Sequence, residues 1–192
     1  MKEIEYKFLL KSKPKRLENN NNYIEIIQYY YNKNHYKNLL DLLKVPDELK
    51  EHIDTLRLRV EHNETHTRYI LNAKTKGKKE RFEFEKEINE KLANQLKLCE
   101  NIGKIAKKRW KIKENDYIFE FDEYLESKTG LLVCEVEVTK QTDNYKKIIS
   151  ILNKEFDVEF EDITYQSKYK NSNLAKENLY ENNKWFDRVA LL

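Results

Sequence analysis

The feature that most limits what this chain can fold into is a two-residue rhythm of charged and apolar side chains. Glu3-Ile4-Glu5-Tyr6-Lys7-Phe8 alternates strictly. The rhythm returns at Leu56-Arg57-Leu58-Arg59-Val60-Glu61, Arg81-Phe82-Glu83-Phe84-Glu85, Phe119-Glu120-Phe121-Asp122 and Val133-Cys134-Glu135-Val136-Glu137-Val138. Successive side chains of a strand point to opposite faces, so each segment reads as a strand with one apolar and one ionic face. Weaker strand patterns lie at 23–30, 68–75, 107–113 and 117–121. Lys76-Gly77-Lys78-Lys79 separates 68–75 from 81–88, and Lys113-Glu114-Asn115-Asp116 separates 107–112 from 117–124. Both punctuations predict antiparallel hairpins.

Helical spacing appears at 36–44, 47–53, 90–105, 143–155 and about 173–182. In the third, Leu92, Leu96, Cys99 and Ile102 share one stripe behind a capping Asn89; in the fourth, Ile148, Ile151 and Leu152 face inward behind Thr142 or Asp143. With no repeat and no linker, the pattern predicts one α+β domain over 1–192. It carries a helical insertion at about 31–55 and a C-terminal helical element at about 165–192.

Composition narrows the class. A chain of 192 residues with 39% hydrophobic side chains, 13 Tyr and 8 Phe can build one core, and those aromatics with 37 basic against 34 acidic residues exclude wholesale disorder. Only 3 Gly and 2 Pro exclude collagen-like and linker chains. Cys99 and Cys134 are far apart in sequence, which suits a reducing compartment. No apolar run reaches membrane-spanning length and acids interrupt the N-terminal apolar stretch, so the expected location is cytoplasmic, with no membrane partner. Lysine occurs 30 times and arginine 7, a bias that A/T-rich codons would produce. The net charge of +3 therefore gives little reason to expect a nucleic-acid partner.

The placement of charge is more informative than its sum. The polar positions of the alternating segments carry Glu3, Glu5, Glu83, Glu85, Glu120, Asp122, Glu135 and Glu137, together with Lys7, Arg57, Arg59 and Arg81; hairpin register adds Lys74, Lys107 and Arg109. If the sheet closes with helices outside, this ionic face lines the interior, where unpaired charges cost several kcal/mol each unless water, ions or a charged ligand accompany them. Clustered cations suit a phosphate chain and clustered carboxylates a hard divalent cation. The competing reading is a solvated face laced by cross-strand ion pairs.

Motif order resembles one family. Glu3-Ile4-Glu5-Tyr6-Lys7 is an ExExK opening, similar to that of the CYTH, or triphosphate tunnel metalloenzyme, superfamily. Ile27-Gln28-Tyr29-Tyr30, Leu56-Arg57-Leu58-Arg59, Leu71-Asn72-Ala73-Lys74-Thr75 and Arg81-Phe82-Glu83-Phe84-Glu85 resemble its next strands. Lys107-Lys108-Arg109-Trp110, Glu120-Phe121-Asp122-Glu123-Tyr124 and Glu135-Val136-Glu137 resemble those that follow. Ile163-Thr164 and Lys168-Tyr169-Lys170-Asn171-Ser172-Asn173-Leu174 resemble the C-terminal element of bacterial members. The chain departs from the pattern at Asn72 (usually Thr), Thr75 (usually Gly), Gln166 (usually Asp) and in the length of the 31–55 insertion.

The resemblance implies a closed eight-stranded antiparallel β-barrel, a triphosphate tunnel with helices packed outside. It implies an enzyme of the bacterial tripolyphosphatase-like branch, hydrolysing tripolyphosphate or a related small triphosphate with Mg²⁺ or Mn²⁺. By the same resemblance Glu3, Glu5, Asp122, Glu135 and Glu137 hold metal. Lys7, Arg57, Arg59, Lys74, Lys107, Arg109 and Lys168 hold phosphate. Lys74, Glu83 and Glu85 serve catalysis, the two glutamates fitting a second metal or a water-orienting base. A class IV-type adenylate cyclase and a non-catalytic triphosphate- or nucleotide-binding module are the alternatives, and a homodimer is compatible with either. His35, His52, His62 and His66 show no ligand spacing, and Cys99, Cys134, Trp110 and Trp185 read as packing residues.

Overall fold

The computed structural model describes residues 4–76, 82–138 and 145–176. Glu3, Arg81, Thr142, Asp143 and Trp185 lie outside the described residues. The chain divides into two compact units, 1–25 with 107–166 and 26–106 with 167–192.

The first unit holds β1 (Ile4–Leu10), α1 (Lys15–Glu18), most of β6 (Gly103–Glu114), β7 (Tyr117–Tyr124), β8 (Leu132–Val138), α5 (Tyr145–Glu155) and β9 (Phe160–Asp162). Its strand order is β6-β7-β8-β1-β9, and the registers of β6 with β7, β7 with β8, β8 with β1 and β1 with β9 are all antiparallel. Alternation decides the faces. Phe8, Trp110, Phe119, Phe121, Cys134 and Val136 meet Ile148, Ile151 and Leu152 of α5 and the following Phe156 in one core. Phe156 lies 5.1 Å from Phe119 and 4.7 Å from Phe121, ring centroid to centroid. The opposite face is left to Glu5, Lys7, Lys107, Arg109, Glu120, Asp122, Glu135 and Glu137.

The second unit holds β2 (Ile24–Tyr31) from Ile26 onward, α2 (Lys37–Leu42), α3 (Asp47–Lys50), β3 (Ile53–His62), β4 (Thr67–Thr75), β5 (Glu83–Glu87) and α4 (Glu90–Leu98). The first residues of β6 and a helix at 171–176 complete it. Its order is β5-β4-β3-β2-β6. The insertion is part of the fabric: Leu39, Leu40, Leu43 and Val45 pack with Leu56, Leu58, Leu71 and Ala73 of the sheet and Ala93 and Leu96 of α4. Two hollows, of about 460 Å³ beside Lys11 and Glu159 and about 210 Å³ beside Tyr30 and Lys170, contain none of the expected site residues.

Three expectations are corrected. The sheet has nine strands and is not closed among the described residues, where a closed eight-stranded barrel was expected. The edge of β1 that β8 leaves free is taken by β9, through Phe8↔Asp162, Leu9↔Glu161 and Leu10↔Phe160. The helix expected over 90–105 ends at Leu98, and Cys99 is already extended. Pairing overrides the helical stripe here: Ile102 N–H donates to the Tyr30 carbonyl at 2.7 Å and β6 starts at Gly103. Gly103 itself is demanded by contact, since a Cβ there would lie 2.5 Å from the Ala175 carbonyl oxygen and its φ is +150°. The third correction shortens the helix expected over 47–53: it spans Asp47–Lys50, and Ile53 already belongs to β3.

Candidate functional site

In the first unit, pairing sets the ionic residues directly opposite one another: Lys7 faces Glu135, Glu5 faces Glu137, Glu120 faces Glu135, and Arg109 faces Asp122. Lys7 Nζ lies 2.6 Å from Glu135 and 3.3 Å from Glu5. Arg109 grips Asp122 side-on, Nε and Nη2 each donating at 2.6 Å, while Nη2 reaches Glu135 at 2.7 Å and Nη1 reaches Glu120. Lys107 pairs with Asp122 and lies 5.4 Å from the Tyr124 ring, and Lys111 joins Glu120 at 2.7 Å. One chain of ion pairs thus runs Lys107–Asp122–Arg109–Glu135–Lys7–Glu5.

Burial makes this arrangement electrostatically stiff. Lys107 and Asp122 are each only 1% exposed, and Glu135 is 9% exposed. Burial alone would push Glu135 up, but the Lys7, Lys107 and Arg109 charges hold it well below the usual carboxylate range. Burial would also lower Lys7, and Glu135 and Glu5 reverse that and raise it. Lys107 is lowered, by burial first and by the nearby Arg109 cation second. Glu5 opposite Glu137, and Glu120 opposite Glu135, are like-charged cross-strand pairs, unfavourable unless positive charge sits among them. Lys7 and Arg109 supply it. Among the described residues no three His, Cys, Asp or Glu side chains stand together as a metal-binding group.

The second unit carries its own ionic face. Arg57 is opposite Asn72 and Thr55 opposite Lys74, while across the other edge of β4 Asn72 faces Glu85 and Lys74 faces Glu83. Lys74 Nζ lies 2.8 Å from Glu83, and Arg59 reaches Glu61 at 3.2 Å and Glu85 at 3.1 Å. In ion pairing Arg57 differs from its neighbour two residues on. It forms no ion pair among the described residues, and its Nε is buried without a hydrogen-bond acceptor. Its field still acts on Glu83. Burial would raise that carboxyl, but the Lys74 ammonium, the Asn72 amide and the Arg57 charge hold it below the ordinary 4.5.

Of the expected residues, Glu5, Lys7, Lys107, Arg109, Asp122 and Glu135 come together in one ion-pair chain, and Arg59, Lys74, Glu83 and Glu85 in another cluster. Glu137 shares the face of Glu135. Lys168 is exposed, its Nζ 4.8 Å from the Tyr169 ring. Glu120 and Asn72 belong to the clusters without having been assigned a role. The signal that could have found them is register, because each lies directly opposite a site residue. Cys134 and Trp110 are buried, as read from the sequence.

The CYTH domain profile matches residues 1–170. The chain belongs to the CYTH domain family. Solved structures agree in fold with this CYTH chain. The inorganic triphosphatase NE1496 aligns with a TM-score of 0.58 at 22% identity, covering 92% of this chain and 95% of the other. HpAC1 from Hippeastrum, studied as an adenylyl cyclase and described as having a dominant triphosphatase activity, aligns at 0.51 and 13% identity over 84% and 90%. An adenylate cyclase candidate from Bacillus halodurans aligns at 0.51 and 16% over 82% and 90%. No curated protein matches the sequence. Within the described residues of this CYTH chain, no helix is long and apolar enough to cross a membrane.

Proposed function

We propose that this CYTH chain is a divalent-metal-dependent triphosphatase acting on inorganic tripolyphosphate or a related small triphosphate. The observation that carries the reading is Arg57: a guanidinium on an ionic face, its Nε buried without an acceptor, calls for an anion from outside. Arg59 and Lys74, in the same unit as Arg57, add cations whose carboxylate partners can be exchanged for phosphate oxygens; Lys7 and Arg109 are assigned to phosphate by the family resemblance. Lys107, fully buried against Asp122, contributes by holding that carboxylate and Arg109 in place. Glu3 and Lys168 are assigned by family resemblance alone.

The carboxylates suit a hard cation in chemistry: Glu5, Glu135, Glu137 and Asp122 offer only oxygen donors, and the Lys7 ammonium between Glu5 and Glu135 marks a spot where positive charge is stabilised. Mg²⁺ or Mn²⁺ bound by these oxygens would supply charge neutralisation along the phosphate chain. Arg57, Arg59 and Lys74 orient the terminal phosphoryl group and stabilise the charge that builds on its oxygens. The oxygen of water bonds to the terminal phosphorus, the bond to the bridging oxygen breaks, and diphosphate leaves with the electron pair. Glu83, held ionised by Lys74 and Asn72, is suited to accept a hydrogen bond from that water and poorly suited to keep its proton.

The test is a substrate panel of tripolyphosphate, ATP and thiamine triphosphate with Mg²⁺ or Mn²⁺. Orthophosphate release is expected, with tripolyphosphate preferred. Cyclic AMP with diphosphate as products from ATP would replace the proposal by a cyclase. Tight triphosphate binding by folded protein without turnover would replace it by a binding module.

A further inference from the structure

An asparagine side chain offers two hydrogens in a single plane without adding charge. Asn72 is fully buried in the middle of β4, directly opposite Glu85 of β5 and Arg57 of β3. Its Nδ2 donates to Glu83 Oε1 at 2.6 Å and to Glu85 Oε2 at 3.4 Å. Glu83 and Glu85 are two residues apart on one strand and share a face, so their charges repel, and the amide links them.

The direction of the amide follows from its neighbours. Turned the other way, Oδ1 would meet two carboxylate oxygens, so the NH₂ group faces the glutamates and Oδ1 is left buried with no donor. Stability alone does not select such a residue, because an apolar side chain of similar volume would abolish the orphan acceptor. The threonine found at this position in the family pattern has a single hydroxyl hydrogen and could serve only one carboxylate at a time. What asparagine adds here is a fixed relation between two carboxylates, each also held by a cation: Lys74 on Glu83 at 2.8 Å and Arg59 on Glu85 at 3.1 Å.

We propose that Asn72 is a positioning residue for hydrolysis, acting through Glu83 and Glu85 by holding the two carboxylates in the geometry that orients the attacking water. The proposal rests on the triphosphatase reading. It assigns Asn72 no contact with substrate.

The experiment combines a double-mutant cycle with crystallography. Asn72→Leu is expected to lower kcat for tripolyphosphate about 10- to 100-fold through misplacement of the oriented groups. KM should stay within about 3-fold, because the cations remain. In a Glu83→Gln background the further loss from Asn72→Leu should be under about 3-fold, since both changes remove one function. Should Asn72→Leu fail to fold, Asn72→Ser, which keeps one donor, takes its place, with a smaller fall in kcat expected. Unchanged kcat in the single variant, or losses that multiply in the double, would overturn the proposal. If the wild-type protein hydrolyses no triphosphate, the triphosphatase reading fails and Asn72 is judged by the variant's crystal structure. Displacement of the Glu83 carboxylate by more than about 1 Å supports its holding role; glutamates left where they are overturn it.

Discussion

Arg57 and Arg109 carry the same side chain and should respond in opposite ways to the same replacement. Arg57→Met removes a guanidinium whose Nε is buried without an acceptor. Such an orphan costs about 1–3 kcal/mol, part of it returned by attraction to Glu83. The net change in stability should therefore lie within about 1 kcal/mol, or about 2–4 °C in Tm for a chain of this length. Arg109→Met instead strips Asp122, Glu135 and Glu120 of a shared cation in a buried network. Breaking such a network costs about 3–5 kcal/mol, equivalent to about 6–20 °C. Function should sort the other way for Arg57. A charge-assisted hydrogen bond to phosphate is worth about 1.5–3 kcal/mol, so kcat/KM for tripolyphosphate should fall about 10- to 150-fold. Differential scanning fluorimetry and a phosphate-release assay on the two purified variants measure both quantities. An Arg57→Met protein that melts more than about 8 °C lower yet turns over normally would refute the reasoning and restore the structural ion-pair reading of this face.

Other outcomes follow from single contacts. Gly103→Ala should destabilise by at least about 1–3 kcal/mol in urea melts, because the new Cβ meets the Ala175 carbonyl at 2.5 Å on a backbone that side chains avoid. Tyr145 Oη donates to Asp162 at 2.7 Å. Burial alone would raise Asp162, but hydrogen bonds from Thr164 and Tyr145 hold it below its ordinary 3.8, so its stabilisation is present above that pH and lost as pH falls through the folded value. The same hydrogen bond, with burial, pushes Tyr145 up to about 12, so that contribution is complete below pH 10 and lost as pH rises through about 12. Tyr145→Phe should thus cost about 0.5–1 kcal/mol at neutral pH. Urea melts should show the difference shrinking in strong acid and above pH 10; a difference constant with pH would contradict the linkage. Lys107→Met should destabilise less than Arg109→Met, because Asp122 keeps two hydrogen bonds from Arg109.

Periodicity made most of the strands legible. Glu5 and Lys7, Glu120 and Asp122, and Glu135 and Glu137 share one face because the strand period is two, and Phe8, Phe119, Phe121, Cys134 and Val136 fill the other for the same reason. What alternation cannot give is depth or partner. Arg57 and Arg59 are alike in sequence, yet Glu61 and Glu85 reach Arg59, while Arg57 is left opposite the amide of Asn72. Lys107 reads as a phosphate cation and turns out to be buried against Asp122. The stripe from Leu92 to Ile102 fits a helix, and only pairing of Ile102 with Tyr30 turns its end into a strand approach. Phe160–Asp162 is too short to show a period, so nothing in the pattern marks the strand that takes the free edge of β1.

Metal-dependent attack by water on the end of a triphosphate is the reaction proposed for this chain. Its most direct test follows tripolyphosphate by ³¹P NMR in ¹⁸O-enriched water, with the protein and Mg²⁺ or Mn²⁺, and again with EDTA. The expected result is orthophosphate and diphosphate in equal amounts, the heavy oxygen in orthophosphate alone, and no reaction under EDTA. Intact tripolyphosphate in the presence of folded protein and metal, or label appearing in diphosphate, would contradict it.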